Sequence, residues 1–210
     1  KKIILFYLII PMKILWQVSF RPFYKSKAND DVQRKFIENL KRNYAEAKEM
    51  DLSIHLDGAR LFNAIEDLKC EPKDVVKFAD TVSICFSKGL GAPAGSILCF
   101  PENMEHKVRR QRKILGGALR QVGVLGAACL YAVKNNIKRL KEDHERASFL
   151  ANALNPYHSK KNGKDLQNFT NMVFFEPIEK KGSDLFSFLK SRGIIISKPC
   201  PLTRLVMHLN

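Results

Sequence analysis

The run Ser83-Ile84-Cys85-Phe86-Ser87-Lys88-Gly89-Leu90-Gly91-Ala92-Pro93-Ala94-Gly95 decides how the chain folds. Thr81–Phe86 is apolar and predicts a strand, which ends in a lysine followed by a glycine-rich turn. Upstream, Leu52–Leu56 predicts a short strand that ends at Asp57-Gly58. Between the two strands, Leu61–Leu68 has helical spacing, and Pro72 opens a second helix that runs to Ala79. Strands alternating with helices predict an α/β sheet, and in such sheets ligands gather at the carboxyl ends of the strands. Asp57 and Lys88 both occupy such ends.

A lysine at that position is placed to form a Schiff base, and an aspartate there to hold a protonated pyridine nitrogen. Together they suggest chemistry of pyridoxal 5'-phosphate. Further along, Asp30 and Asp31 predict a helix start, with Phe36, Ile37, Leu40, Tyr44, Ala47 and Met50 at helical spacing. Ile97–Phe100 predicts a third strand. Glu102 to Leu154 predicts two helices broken at Gly116-Gly117. The second carries Leu119, Val122, Val124, Leu125, Ala128, Leu130, Tyr131 and Val133 on most faces, so it is expected to be buried and to emerge as an amphipathic helix past Asn135. Asn155-Pro156 and the polar stretch 158–165 mark a domain boundary. Strands over Met172–Glu176, Gly193–Ser197 and Arg204–Leu209, with a helix over Ser183–Arg192, predict a small α+β domain at residues 155–210. Residues 31–154 form part of a larger domain. Residues 1–30 differ in character and are expected to stand outside the fold.

Bulk properties bound the function. The 210 residues are 45% hydrophobic, enough for a sizeable core, and the formal charge is +15. The basic residues are spread out, apart from Lys107–Lys113, and no nucleic-acid-binding signature accompanies them, so no nucleic-acid partner is expected. Ile3–Ile10 is too short to span a membrane and is interrupted by Pro11 and Lys13, so no membrane association is expected. Cys70, Cys85, Cys99, Cys129 and Cys200 form no Cys-x-x-Cys pair, so no zinc or redox motif and no metal site is expected. Cys85 and Cys99 read as small core residues. The scattered thiols suit a reducing, cytoplasmic setting.

Four motifs then converge. They are His55-Leu56-Asp57-Gly58-Ala59-Arg60-Leu61-Phe62-Asn63-Ala64, Ser87–Pro93, Arg112-Lys113-Ile114-Leu115-Gly116-Gly117-Ala118-Leu119-Arg120-Gln121, and Arg204-Leu205-Val206-Met207-His208-Leu209. In order and spacing, from about Leu40 to Leu209, the chain resembles the L-threonine aldolases of the fold-type-I pyridoxal-phosphate enzymes (the aspartate aminotransferase superfamily). The resemblance implies that Lys88 forms the Schiff base and Asp57 pairs with the pyridinium. It implies that Arg60 and Arg204 hold the substrate α-carboxylate, a task that suits the planar guanidinium fork. Lys113 and Arg120 match basic residues near the cofactor, reaching in from a partner subunit. Ser87 either contacts the phosphate or caps the turn. His55 and His208 read as packed or hydrogen-bonded histidines.

The implied substrate is a β-hydroxy-α-amino acid, and the implied reaction is retro-aldol cleavage of L-threonine or L-allo-threonine to glycine and acetaldehyde. The implied assembly is a homo-oligomer, tetrameric in the family. The expected architecture is the C-terminal part of a fold-type-I large domain plus the small α+β domain. Residues 1–50 contain no glycine, so the glycine-bearing phosphate loop of full-length members has no counterpart ahead of Asp57. The chain alone is therefore expected to bind the cofactor poorly and to turn over little. The competing expectation is a non-catalytic remnant that acts by subunit pairing or through its basic surface.

Overall fold

The computed structural model describes residues 3–5, 16–19, 30–159, 166, 168–178, 182–196 and 203–209. A five-stranded sheet forms the centre of the larger part. It contains β1 (Ile3–Leu5), β2 (Trp16–Ser19), β3 (Ile54–Asp57), β4 (Thr81–Cys85) and β5 (Ser96–Cys99), in the order β1-β5-β4-β3-β2. β2, β3 and β4 run parallel, while β5 is antiparallel to both β4 and β1. The parallel pair β3–β4 sets His55 opposite Thr81 and Asp57 opposite Ser83. The sheet thus takes up two short strands from the first thirty residues, which were expected to stand outside the fold. Their backbones satisfy the outer edges of β3 and β5, groups that otherwise need water or another partner.

Alternation along β3 sorts its side chains. Ile54 and Leu56 are buried, and His55 and Asp57 face the other way. Helices α1 (Asp30–Glu49), α2 (Leu61–Leu68) and α3 (Pro72–Val76) cover the apolar face, where Leu40, Leu56, Leu61, Val75 and Val82 form one core cluster. α3 starts with Pro72 in its first turn and a reciprocal cap between Glu71 and Asp74. α1 is pinned at its end by Asp80. The Asp80 carboxylate accepts from Lys48 Nζ at 2.8 Å and from the Ile54 backbone N–H at 2.8 Å, and this pairing holds the Lys48 proton more tightly than usual.

Helices α4 (Glu105–Ile114), α5 (Gly123–Asn135) and α6 (Leu140–Leu154) follow. The sequence predicts two helices here and the structure has three, with a break after Asn135. Consecutive asparagines favour leaving a helix, and Asn136 turns inward instead of continuing it. The predicted burial of α5 is also corrected. Cys129 and Ala132 are buried, but Val124 is 78% exposed, Leu130 55% and Tyr131 65%. An apolar composition shows that a face needs a cover without showing what the cover is.

The smaller sheet has the order β6-β7-β8, from β6 (Asn168–Phe169), β7 (Met172–Phe175) and β8 (Thr203–Val206), with α7 (Gly182–Ser191) between β7 and β8. The strand expected at Gly193–Ser197 does not form over its described part. The chain folds back after α7, where the Gly193 N–H donates to Lys190 C=O and the Ile194 N–H to Leu189 C=O. Residues 194–196 then run as irregular backbone, and Ser197 lies outside the described residues. The boundary expected at residue 154 coincides with the end of α6. α6 nevertheless shares its buried face with the small sheet, through Ala147, Ala151, Val173 and Phe175. No helix among the described residues is long and apolar enough to cross a membrane.

Candidate active site

The polar face of the central strands sits beside the turn that carries Lys88. Gly58 follows β3 because nothing larger fits. Its N–H donates to Ser83 C=O at 2.8 Å, and a Cβ there would lie 2.8 Å from that same oxygen. This close approach locks the end of β3 to β4. Asp57 is fixed at the strand end, where one carboxylate oxygen accepts from the Ala59 N–H at 3.1 Å. Its neighbour on the same face, His55, is held at both ring nitrogens, by Thr81 Oγ1 at 2.8 Å and Ser83 Oγ at 3.2 Å. Burial pushes the His55 proton affinity down, and the nearby Asp57 charge opposes that in part. The reading of His55 as a hydrogen-bonded histidine therefore holds, and His55 buttresses the strand that presents Asp57.

Arg60 opens α2. Its Nε is buried and has no hydrogen-bond partner. Burial lowers the proton affinity of this guanidinium, and the positive charge of Arg204 on β8 lowers it further. Arg204 is exposed on β8, within electrostatic reach of Arg60. Buried polar groups are normally satisfied, and like charges are normally kept apart. An unpartnered buried guanidinium N–H with a second arginine in electrostatic reach favours an anion at this position. The donor set fits a carboxylate, which accepts two N–H bonds from one planar fork.

Cys85 was expected in the core. It instead lines a small recess with Arg60, Phe62, Asn63 and Gly89, and Ser96 Oγ donates to its sulfur at 3.5 Å. Lys88 is half-buried and Ser87 exposed, both in the turn after β4. Lys113 is exposed at the end of α4, and Arg120 is exposed in the α4–α5 connection. That connection is shaped by Arg112, whose Nε donates to Gly117 C=O at 2.7 Å. His208 is exposed past β8, and the neighbouring Leu209 lies over Gly91 of the lysine turn.

Sequence reasoning missed three residues that pack beneath this turn: Asn63, Asn136 and His144. Asn63 is buried and hydrogen-bonded to His144 Nε2 at 3.2 Å. Asn136 is buried and donates to Leu90 C=O at 2.7 Å. The available signal was an asparagine inside the otherwise apolar start of α2, directly after the Asp57 motif.

Comparison with known proteins bears on the family and the fold. Residues 35–176 match the family described as beta-eliminating lyase. The chain is 40% identical over 174 residues to a low specificity L-threonine aldolase of Escherichia coli, covering 82% of this chain and 50% of that protein. It is 47% identical over 109 residues to low-specificity L-threonine aldolase 1 of Arabidopsis thaliana, covering 52% of this chain and 30% of that protein. Among solved structures, the threonine aldolase of Leishmania major superposes with a TM-score of 0.60 at 19% identity, over 82% of this chain and 51% of that one. The chain thus spans about half the length of the Escherichia coli and Leishmania major proteins and less of the Arabidopsis one, and the expected α/β fold, a fold-type-I large domain in part, is borne out. On the extent of the family match and the agreement of fold, the chain belongs to the beta-eliminating lyase family.

Proposed function

We propose that the chain carries the lysine-bearing portion of a pyridoxal-phosphate lyase that splits a β-hydroxy-α-amino acid, L-threonine or L-allo-threonine, into glycine and an aldehyde. The observation that carries this reading is the buried, unpartnered Arg60 Nε, three residues past Asp57 on the sheet end that also leads to Lys88, with Arg204 of the small sheet in electrostatic reach. The relatives named L-threonine aldolases supply the substrate class.

The groups present fit the cofactor at two points. Asp57 is the anion for the ring nitrogen, held by the Ala59 N–H and backed by His55. Lys88 is the amine that would hold the aldehyde carbon. When bound, pyridoxal phosphate supplies an electron sink for the pair of electrons left at the amino-acid Cα. Everything else falls to the chain. Arg60 and Arg204 grip the α-carboxylate and so fix which bond to Cα is presented for cleavage, an orientation effect that acts on rate as well as affinity. Burial around Arg60 strengthens that grip by excluding water. Ser87, Lys113 and Arg120 are the side chains assigned to the phosphate, the last two from a neighbouring copy. The exposed apolar residues of α5 support such self-association. The thiol cysteines Cys85 and Cys129 support a reducing, cytoplasmic setting.

The test is a spectral titration with pyridoxal phosphate, with glycine release from L-threonine measured in parallel. A visible absorbance band that Lys88→Ala abolishes supports the reading. A band that survives Lys88→Ala, or no band at any cofactor concentration, overturns it.

A further inference from the structure

The turn that presents Lys88 is closed on itself by backbone bonds. The Gly91 N–H donates to Lys88 C=O at 2.8 Å, the Ala92 N–H to Phe86 C=O at 3.0 Å, and the Phe86 N–H to Gly95 C=O at 3.0 Å. These bonds give the turn a shape but do not fix it against the helices beneath. Buried side chains of α2 and of α5 with its end do that. Asn136, just past the end of α5 and 8% exposed, donates from its carboxamide to Leu90 C=O at 2.7 Å. Cys129 of α5 donates weakly to Ala94 C=O at 3.4 Å. Asn63 of α2, 3% exposed, lies directly under Gly89. A Cβ on Gly89 would stand 2.9 Å from Asn63 Oδ1 and 2.9 Å from Leu140 Cδ2.

Asn136 sits beside an apolar cluster that includes Phe86, Leu90, Ala92, Ile97, Ala132 and Leu140. An amide placed there is costly unless its hydrogen bonds are made, and an aliphatic residue of similar size would pack more cheaply. Its contact is with the lysine turn, two residues past Lys88. Asn63 is oriented in turn by His144, whose Nε2 accepts from the carboxamide. The two asparagines therefore meet the turn from different helices, one at Leu90 and one at Gly89.

We propose that Asn136 is a positioning residue for Lys88. By holding the Leu90 carbonyl it fixes the height and direction of the Lys88 backbone, with Asn63 as the spacer under Gly89. The inference rests on the reading of Lys88 as the cofactor lysine.

The test uses the 210-residue chain and covalent trapping. The aldehyde of pyridoxal phosphate condenses with a lysine amine, water leaves, and borohydride reduces the product to a stable secondary amine that peptide mass mapping locates. The quantity read is the cofactor concentration that half-labels Lys88, with the exposed Lys41 and Lys134 as internal references. In the wild-type chain Lys88 is expected to label at lower concentration than either reference. Asn136→Asp keeps the size and removes the donor. It is expected to raise the half-labelling concentration at Lys88 by about tenfold, on the scale that a small misplacement of a reacting group produces, and to leave Lys41 and Lys134 unchanged. Asn136→Ala, which leaves room for water at the Leu90 carbonyl, is read in the same way. Val173→Ala, in the distant core of the small sheet, serves as the control for general destabilisation.

If wild-type Lys88 labels no better than the references, the cofactor reading fails and the inference falls with it. If Lys88 is preferred but both Asn136 variants label like wild type, the cofactor reading stands and the positioning role is overturned. An equal shift in Val173→Ala, or loss of fold in both Asn136 variants, assigns Asn136 to global stability and also overturns it.

Discussion

Arg60 is the residue at which stability and function most plainly oppose each other. A guanidinium with a buried, unpartnered Nε beside a second arginine is a liability in the folded chain. Replacing such a charge with an apolar side chain of similar volume is often stabilising. Arg60→Met is expected to raise the melting temperature by about 2–4 °C, the shift that accompanies roughly 1 kcal/mol in a chain of this size. The same variant should lose affinity for glycine and threonine, measured by calorimetric titration in the presence of pyridoxal phosphate. A lower melting temperature would show that Arg60 already has a partner that offsets its burial. The two half-buried histidines give a pH dependence of known sign. Burial lowers the proton affinity of His55 and of His144, which lies near Asp67, Glu66, Asp143 and Lys69. Near pH 6 the unfolded chain therefore binds protons that the folded chain does not. Stability rises with pH up to the ordinary histidine value of about 6.5 and is flat above it. Asp67, pushed up by burial, works in the opposite sense but in a lower window, just above the ordinary carboxylate range. Melting curves from pH 5 to 8 should show the rise, and His55→Gln and His144→Gln should each flatten it. The placement of Asp57 at the end of β3 and of Lys88 in the turn after β4 was legible because each stands in a short run whose neighbours constrain it. Asn63, Asn136 and His144 were not, because an asparagine in a helix looks the same whether it holds a buried carbonyl or faces water.

At the scale of elements, the contact of Gly89 in the lysine turn with α2 and α6 is tight. Gly89→Ala would put a methyl 2.9 Å from both Asn63 Oδ1 and Leu140 Cδ2. Overpacking of this kind costs about 1–3 kcal/mol, and chemical denaturation should show it as a lower midpoint at unchanged slope. An unchanged midpoint would mean that Asn63 swings aside freely. The elements themselves were unevenly legible. α2 falls on Leu61–Leu68 as its periodicity predicts, and β3, β4 and β5 lie within one or two residues of expectation. Apolar period and strong punctuation agree in those places. They disagree after α7, where the apolar Ile194 and Ile195 suggest a strand but the chain turns back on the helix and both residues stay exposed. The asparagine pair after α5 likewise ended a helix that hydrophobicity alone would have continued.

At the scale of the whole molecule, the informative feature is the apolar surface of α5 and the segment before it. Ile114, Leu115, Leu119, Val124, Leu130 and Tyr131 are all more than half exposed. A patch of that composition marks an interaction surface in a stable protein. Sedimentation velocity should show species heavier than the 24.0 kDa chain that grow with concentration. Val124→Glu combined with Leu130→Glu should shift the distribution toward the single chain, while a wild-type chain that stays monomeric throughout would remove self-association from the proposed function. The periodicity of α5 showed an apolar helix but not what covers it, since a single chain's pattern is the same whether the cover is its own core or another copy. The carboxylate grip proposed above draws on both sheets, with Arg60 just ahead of α2 and Arg204 on β8. A change that loosens the small sheet should therefore weaken discrimination among amino acids while leaving Asp57 and Lys88 where they are.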